Sequence, residues 1–179
     1  MGYTKPGDQY DIFELDPLVG EIAREHFNFL QGSPGKIRMV FGDARVSLRK
    51  ESDDLYDAMI IDVFNSGSIP VHLMTVEALK DYRRVLKPGG ILLVHITNQF
   101  LELGSILNAN AEKLGLRAAV KTTGTFRPPE MEATTWVAIM ENPELHRLFL
   151  NQWQWEPFPP NTTPAWTDQY SSLWSALLK

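Results

Sequence analysis

Three acidic residues stand at the ends of three successive apolar runs: Glu14, Asp43 and Asp62. A glutamate at a strand end can accept hydrogen bonds from both hydroxyls of a ribose. An aspartate can accept a hydrogen bond from an exocyclic amine such as that of adenine. A carboxylate that is partly removed from water, as expected of Asp62, can serve as a base or bind an amine. The three residues together indicate a nucleoside site.

Each carboxylate also has a purely structural interpretation. Glu14 could be solvent-exposed, Asp43 could cap the helix that follows it, and Asp62 could bind the backbone of its own loop. Ligands of an open parallel sheet bind beyond the carboxyl ends of the strands. Three acids at three consecutive strand ends therefore favour the functional interpretation.

The elements that carry these residues alternate between short β-branched or aromatic runs and longer segments with helical spacing, which predicts an α/β domain. A helix is expected from Asp16-Pro17 to about Leu30, because Asp can cap and Pro can occupy the first turn. The run 56–63 is almost continuously apolar and is interpreted as a central strand covered on both faces. Further strands are expected at 10–15, 37–41, 91–97, 117–122 and 135–140, and further helices at 44–50, 71–86 and 100–114.

The segment 151–179 is rich in aromatic residues and proline and differs in composition from the rest of the chain. So many aromatic side chains would expose large apolar patches unless they packed on the domain or on a partner. We therefore expect a single domain over 1–179 with this C-terminal segment packed on it. A last helix is expected at 169–178, capped by Asp168.

Composition excludes several classes of function. The net charge is -5 and the cations are scattered, so nucleic acid is not an expected partner. The chain has no Cys, which excludes thiolate metal sites and agrees with a cytoplasmic location. No membrane span is expected in this chain. The four histidines lack ligand spacing, so no metal site is predicted, and His95 is interpreted as a hydrogen-bonded core residue.

An ordered set of motifs runs along the chain: Phe13-Glu14-Leu15-Asp16-Pro17, Gly42-Asp43-Ala44-Arg45, 56–62, Ile69-Pro70 with Leu73-Met74-Thr75, and Leu86-Lys87-Pro88-Gly89-Gly90. This set resembles the spermidine synthases, and more closely the bacterial spermidine synthase-like proteins that are often fused to a membrane transporter-like half. These proteins share a superfamily with S-adenosylmethionine-dependent methyltransferases. The resemblance covers nearly the whole chain.

The resemblance implies a Rossmann-like methyltransferase fold: a mostly parallel twisted sheet with helices on both faces and an antiparallel C-terminal strand. It implies that Glu14, with Asp16, holds the ribose of S-adenosylmethionine or its decarboxylated form. Asp43, with Ala44, would contact the adenine. Asp62 would accept the proton of an attacking amine during aminopropyl transfer, as in polyamine biosynthesis, and no metal would be needed.

Two departures from the family pattern are visible. Spermidine synthases carry a second Asp three residues after the first, where this chain has Asn65, so an anionic anchor for a cationic amine is lost. The first strand and its Gly-rich turn, which precede the residue matching Glu14, are missing. Losing that strand would leave its neighbour with an unpaired edge. A homodimer, or the aromatic C-terminal segment, is expected to cover that edge.

Three functions remain open at this point. The first is aminopropyl transfer to an amine such as a polyamine. The second is methyl transfer from S-adenosylmethionine, which uses the same nucleoside site. The third is a non-catalytic remnant that serves as a binding or oligomerisation domain.

Overall fold

The structure is a computed structural model that describes residues 4–62, 70–97, 101–124, 126–127, 130–131, 133–160 and 162–176. The chain forms two compact units, one extending to Glu51 and the other beginning at Ser52. No helix among the described residues is both long and apolar enough to cross a membrane.

The first unit contains two parallel strands and two helices. The strands pair in register, from Gln9 opposite Lys36 to Glu14 opposite Phe41. Because the strands are parallel, their carboxyl ends lie at the same edge of the sheet. The elements are β1 (Gln9–Glu14), α1 (Pro17–His26), β2 (Lys36–Phe41) and α2 (Ala44–Leu48).

Helix α1 begins where the sequence predicts but ends at His26 instead of about Leu30. Phe27 is already extended, and beyond it the chain turns through a hydrogen bond from the Gly32 N–H to the Asn28 carbonyl. The helix was expected to bury an apolar face, yet Val19 and Ile22 are 47% and 43% exposed. Two strands are too narrow to cover that face within this unit.

The second unit is built on a mixed five-stranded sheet. Its strand order is β3-β4-β8-β5-β9, in which only the β3–β4 pair is parallel. Buried side chains of the strands and helices form its core, including Leu79, Ile106 and Val137. The strands of this sheet are β3 (Tyr56–Ile61), β4 (Leu86–His95), β5 (Arg117–Thr123), β8 (Thr134–Met140) and β9 (Glu156–Pro157). A separate antiparallel pair is formed by β6 (Phe126–Arg127) and β7 (Glu130–Met131). The helices are α3 (Val76–Val85), α4 (Leu103–Lys113) and α5 (Pro143–Asn151).

The apolar run interpreted as a central strand forms an edge in this unit. Among the described residues β3 pairs with β4 alone, and Ile60 is 63% exposed. Apolar composition was read as burial on both faces, but nothing in this unit pairs with the other flank of β3. At the opposite edge, the two-residue strand β9 of the C-terminal segment pairs with β5. Among the described residues of this unit, the aromatic segment therefore does not pair with β3.

Two helix predictions require correction. Helix α3 begins at Val76 rather than Val71, because the Thr75 hydroxyl caps it by accepting a hydrogen bond from the Ala78 N–H at 3.2 Å. A single 3-10 turn over Val71–Leu73 precedes that cap. The helix predicted at 169–178 is wrong within the described residues, where only a 3-10 turn over Leu173–Ala176 forms.

The C-terminal segment contacts helices of the second unit around Trp166, which is fully buried. The Val76 N–H donates to the Trp166 carbonyl at 2.9 Å. The Thr75 hydroxyl donates to Oδ1 of Asp168 at 2.7 Å, so Asp168 binds the start of α3 instead of capping a last helix. Helix α5 was not predicted, although Asn142 caps it and Pro143 occupies its first position.

Candidate functional site

The first unit brings the carboxyl ends of β1 and β2 side by side. Glu14 is the last residue of β1, and its carbonyl accepts a hydrogen bond from the Gly42 N–H at 2.9 Å. Gly42 has a φ of 116°, a conformation that glycine adopts without steric cost, and it turns the chain into Asp43. Glu14 and Asp43 thus leave adjacent strands at the same edge, as the sequence predicts for the two ends.

The carboxylates of the first unit also make local hydrogen bonds. Oε1 of Glu14 accepts from the Asp16 N–H at 3.0 Å, and Oδ1 of Asp16 accepts from the Leu18 N–H at 2.9 Å. Oδ1 of Asp43 accepts from the Val46 N–H at 2.9 Å, which caps α2, and Ala44 is the first residue of that helix. The structural role that the sequence left open for Asp43 is therefore present.

Asp62 lies in the second unit, directly after β3. Ile61 pairs with Val94 of the neighbouring parallel strand, which places Asp62 beside His95. Oδ1 of Asp62 lies 2.7 Å from Nδ1 of His95, while the Asp62 side chain is 60% exposed. The expected withdrawal of this carboxylate from water is thus wrong, because one oxygen binds a histidine while most of the group faces solvent.

His95 is the residue that the sequence interpretation missed. Its ring stacks on Trp136 with a centroid distance of 4.7 Å and an interplanar angle of 19°, and its Nε2 lies 2.6 Å from the Thr97 hydroxyl. The core interpretation was partly right, since the ring side chain is only 22% exposed. The available signal is its position. His95 is the last residue of β4, and β4 lies beside β3, the strand that precedes Asp62.

The structure reports on the remaining predicted residues only in part. Asn65 lies outside the described residues. The convergence of Glu14 and Asp43 with Asp62 around one adenosyl group stays a prediction. Among the described residues, no group of three or more His, Asp or Glu side chains is arranged to hold a metal ion.

The sequence comparisons identify relatives that act on polyamines. The chain is 35% identical over 92 residues to a polyamine aminopropyltransferase of Vibrio vulnificus, a match that covers 50% of this chain and 30% of the relative. It is 26% identical over 101 residues to spermidine synthase 2 of Arabidopsis thaliana, covering 55% of this chain and 30% of the relative. It is also 22% identical over 98 residues to putrescine N-methyltransferase 2 of Nicotiana tabacum, covering 54% of this chain and 28% of the relative. No protein-family model matches the chain.

Solved structures show the same fold. A probable spermidine synthase from Corynebacterium glutamicum superposes with a TM-score of 0.60 at 19% identity, over 91% of this chain and 64% of the other. A spermidine synthase in complex with the transition state analogue AdoDATO gives 0.57 at 19% identity, over 84% and 54%. An O-methyltransferase from Bacillus cereus in complex with SAH gives 0.51 at 14% identity, over 75% and 63%.

These relatives confirm the resemblance to spermidine synthases and the Rossmann-like methyltransferase fold that the sequence predicts. The matched regions span 30% of the length of each of the first two relatives named above. The activity of those whole proteins is therefore only proposed for this chain.

Proposed function

We propose that this chain forms part of a transferase that moves an aminopropyl group from decarboxylated S-adenosylmethionine to an amine. The observation that carries the proposal is Asp62, a mostly exposed carboxylate at the end of β3 whose Oδ1 is bound by His95. Among the described residues no donor occupies its Oδ2. The polyamine aminopropyltransferase and spermidine synthase relatives support the same chemistry.

The reaction requires a group such as Asp62. The lone pair of the amine attacks the carbon next to the sulfonium, so an N–C bond forms and the C–S bond breaks with its electron pair passing to sulfur. The sulfonium becomes a neutral thioether, while the amine becomes a cation that must lose a proton. A carboxylate within hydrogen-bond reach attracts the amine and accepts this proton.

The donor would bind through the first unit. Glu14, assisted by Asp16, would accept hydrogen bonds from the ribose hydroxyls, and Asp43, with the backbone around Ala44, would contact the adenine amine. The chemistry of this set fits an adenosyl group, because carboxylates are acceptors and both kinds of ligand group are donors. S-adenosylmethionine and its decarboxylated form share that adenosyl group, so these contacts do not decide between them.

Methyl transfer is the second candidate, favoured by the similarity to a putrescine N-methyltransferase. The two candidate reactions use different adenosyl donors, so the product formed with each donor distinguishes them. The chain is incubated with putrescine and either donor, and the amine products are weighed by mass spectrometry. Aminopropylated putrescine formed only with the decarboxylated donor is the expected result, whereas methylated putrescine formed with S-adenosylmethionine would identify a methyltransferase. If calorimetry detects no binding of either donor, the chain is a non-catalytic binding or oligomerisation domain.

We also propose a homodimer. Strand β3 has a single strand partner among the described residues, and natural proteins rarely leave such an edge uncovered. Light scattering coupled to size-exclusion chromatography tests this directly. A monomer at micromolar concentration with rapid amide exchange along β3 would contradict the proposal.

A further inference from the structure

A continuous chain of hydrogen bonds in the second unit ends at Asp62. The Thr135 N–H donates to Oγ1 of Thr97 at 2.9 Å. Oγ1 of Thr97 lies 2.6 Å from Nε2 of His95, and Nδ1 of His95 lies 2.7 Å from Oδ1 of Asp62. The chain starts at a backbone group of β8, so the sheet itself fixes its first member.

The chemistry of these groups determines the direction of the bonds. A backbone N–H can only donate, so Thr97 accepts it with one lone pair and still has its own proton to offer to Nε2 of His95, while the Asp62 carboxylate can only accept from Nδ1. Nε2 is then the acceptor of a neutral ring, and the ring proton lies on Nδ1, where it donates to Asp62. A doubly protonated ring also donates from Nδ1, with Nε2 donating to the second lone pair of Thr97. Only the tautomer with an unprotonated Nδ1 would place the lone pair of Nδ1 against a lone pair of Oδ1 of Asp62.

The ring is also held in place by packing. His95 and Trp136 are directly opposite each other on the antiparallel strands β4 and β8, and their rings are stacked. Cross-strand aromatic pairs of this kind stabilise a sheet and restrict the side-chain rotamers. The imidazole therefore points at Asp62 without needing a ligand to order it.

We propose that His95 is a positioning residue for Asp62, an inference that rests on the proposed function. By donating Nδ1–H to Oδ1, His95 stabilises the ionised carboxylate and fixes its orientation, which leaves Oδ2 for the cationic amine. This chain has Asn65 in place of a second acid, so the orientation of its remaining carboxylate matters more.

Two substitutions separate hydrogen bonding from packing. His95→Phe keeps a ring to stack on Trp136 but loses both nitrogens, whereas His95→Asn loses the ring but keeps an amide N–H near the position of Nδ1. If His95 positions Asp62, His95→Phe lowers kcat about tenfold to a hundredfold at an unchanged KM for the adenosyl donor, and His95→Asn recovers most of the loss. If His95 only packs, His95→Phe has the higher kcat of the two variants, and the order of the kcat values follows the order of their thermal stabilities.

A measurement without substrate tests the hydrogen bond itself. ¹⁵N NMR of the histidine rings is expected to show a proton on Nδ1 of His95. His146 is the internal control, because its Nε2 lies 3.1 Å from the Ala118 carbonyl, which can only accept, so its proton must lie on Nε2. A neutral His95 ring with its proton on Nε2 alone would overturn the proposal. If the wild-type chain transfers no group to any amine, the proposed function fails, while the tautomer still decides whether His95 donates to Asp62.

Discussion

Oδ1 of Asn110 accepts a hydrogen bond from the backbone N–H of Trp166 at 2.8 Å, which links helix α4 to the C-terminal segment. Its Nδ2 donates to the Met74 carbonyl at 2.5 Å, and Asn110 itself is fully buried. One amide therefore satisfies two backbone groups that are far apart in sequence.

Replacing Asn110 by Ala should lower the free energy of unfolding by about 2 to 4 kcal/mol, because two buried backbone groups lose their partner. Chemical denaturation monitored by Trp fluorescence would measure the change. Asn108→Ala is the matched control on the same helix. Among the described residues its amide binds Glu112 alone, one turn away at 2.9 Å, so a clearly smaller loss is expected. Equal losses would mean that the two backbone hydrogen bonds of Asn110 contribute no more than the single side-chain contact of Asn108.

The two glycines before the buried part of β4 should respond differently to substitution. A Cβ on Gly90 would lie 2.9 Å from the Lys87 carbonyl oxygen and 3.2 Å from that of Asp57, both backbone atoms. Gly89 has open space around it but a φ of 82°. Gly90→Ala should therefore cost about 1 to 3 kcal/mol through crowding, and Gly89→Ala about 1 to 2 kcal/mol through backbone strain. Asn, which tolerates positive φ, should recover stability only at position 89, and thermal melts of the four variants would show it.

The side chain of Arg38, on β2, binds one residue of β1 and one residue at the C-terminal end of the first unit. It binds Asp11 with two nitrogens, at 2.8 and 2.5 Å, and Glu51 at 2.9 Å. The hydrogen bond to Asp11, followed by that to Glu51, raises the pKa of the Arg38 guanidinium above its ordinary value. Because the pKa of Arg38 is raised, the stabilisation from its positive charge is complete at neutral pH, and on the alkaline side it persists until the pH rises beyond the usual arginine range.

Arg38→Met should destabilise the chain by about 1 kcal/mol or less, since the Arg38 side chain is half exposed and surface ion pairs are weak. Urea denaturation at low salt and in 1 M NaCl would separate charge from packing. The difference between wild type and variant should shrink in high salt, because screening weakens the pair. A difference that is independent of salt would assign the effect to the aliphatic part of the side chain.

Glu14→Gln tests the donor site. Exchanging a carboxylate for an amide weakens the hydrogen bonds to the ribose, so the Kd for the adenosyl donor should rise about tenfold. Calorimetry with the decarboxylated donor is the measurement. Glu21→Gln on the exposed face of α1 changes the net charge equally and should leave the Kd unaltered. A matching increase in both variants would point to a general charge effect.

Asp62→Asn tests the acceptor site. The proton of the amine would lose its acceptor, so kcat should fall about 100-fold to 10000-fold while the donor still binds. Initial rates and donor calorimetry on the same preparation would show the separation. Asp57→Asn, earlier on the same strand and paired with Lys87 at 2.9 Å, is the control that should retain activity.

Local signals predicted the strand ends and several helix starts. The Asp16-Pro17 pair begins α1 where expected, and Gly42-Asp43 ends β2 and caps α2, because capping depends on neighbouring residues alone. Asn142-Pro143 carries the same information, yet the sequence analysis predicts no helix there, and α5 is missed. Thr75, rather than the preceding apolar residues, determines where α3 begins.

Pairing across the sheet could not be read from single runs. The apolar composition of β3 suggested cover on both faces, yet burial depends on which elements lie beside a strand. The bond between His95 and Asp62 depends on the parallel register of β3 and β4, which joins residues 33 positions apart. For the same reason the sequence could name the three carboxylates but not the histidine that binds one of them.

The short strand β9 has a consequence for self-association. It places Pro157 opposite Ala119, and proline has no N–H to offer a further strand. At this flank of the second unit's sheet, a further strand would therefore find no backbone donor at Pro157. Contacts that use a single surface on each copy close on themselves, whereas fibres need two complementary ends. In the homodimer proposed above, pairing through β3 would therefore give a closed pair of molecules and not a fibre.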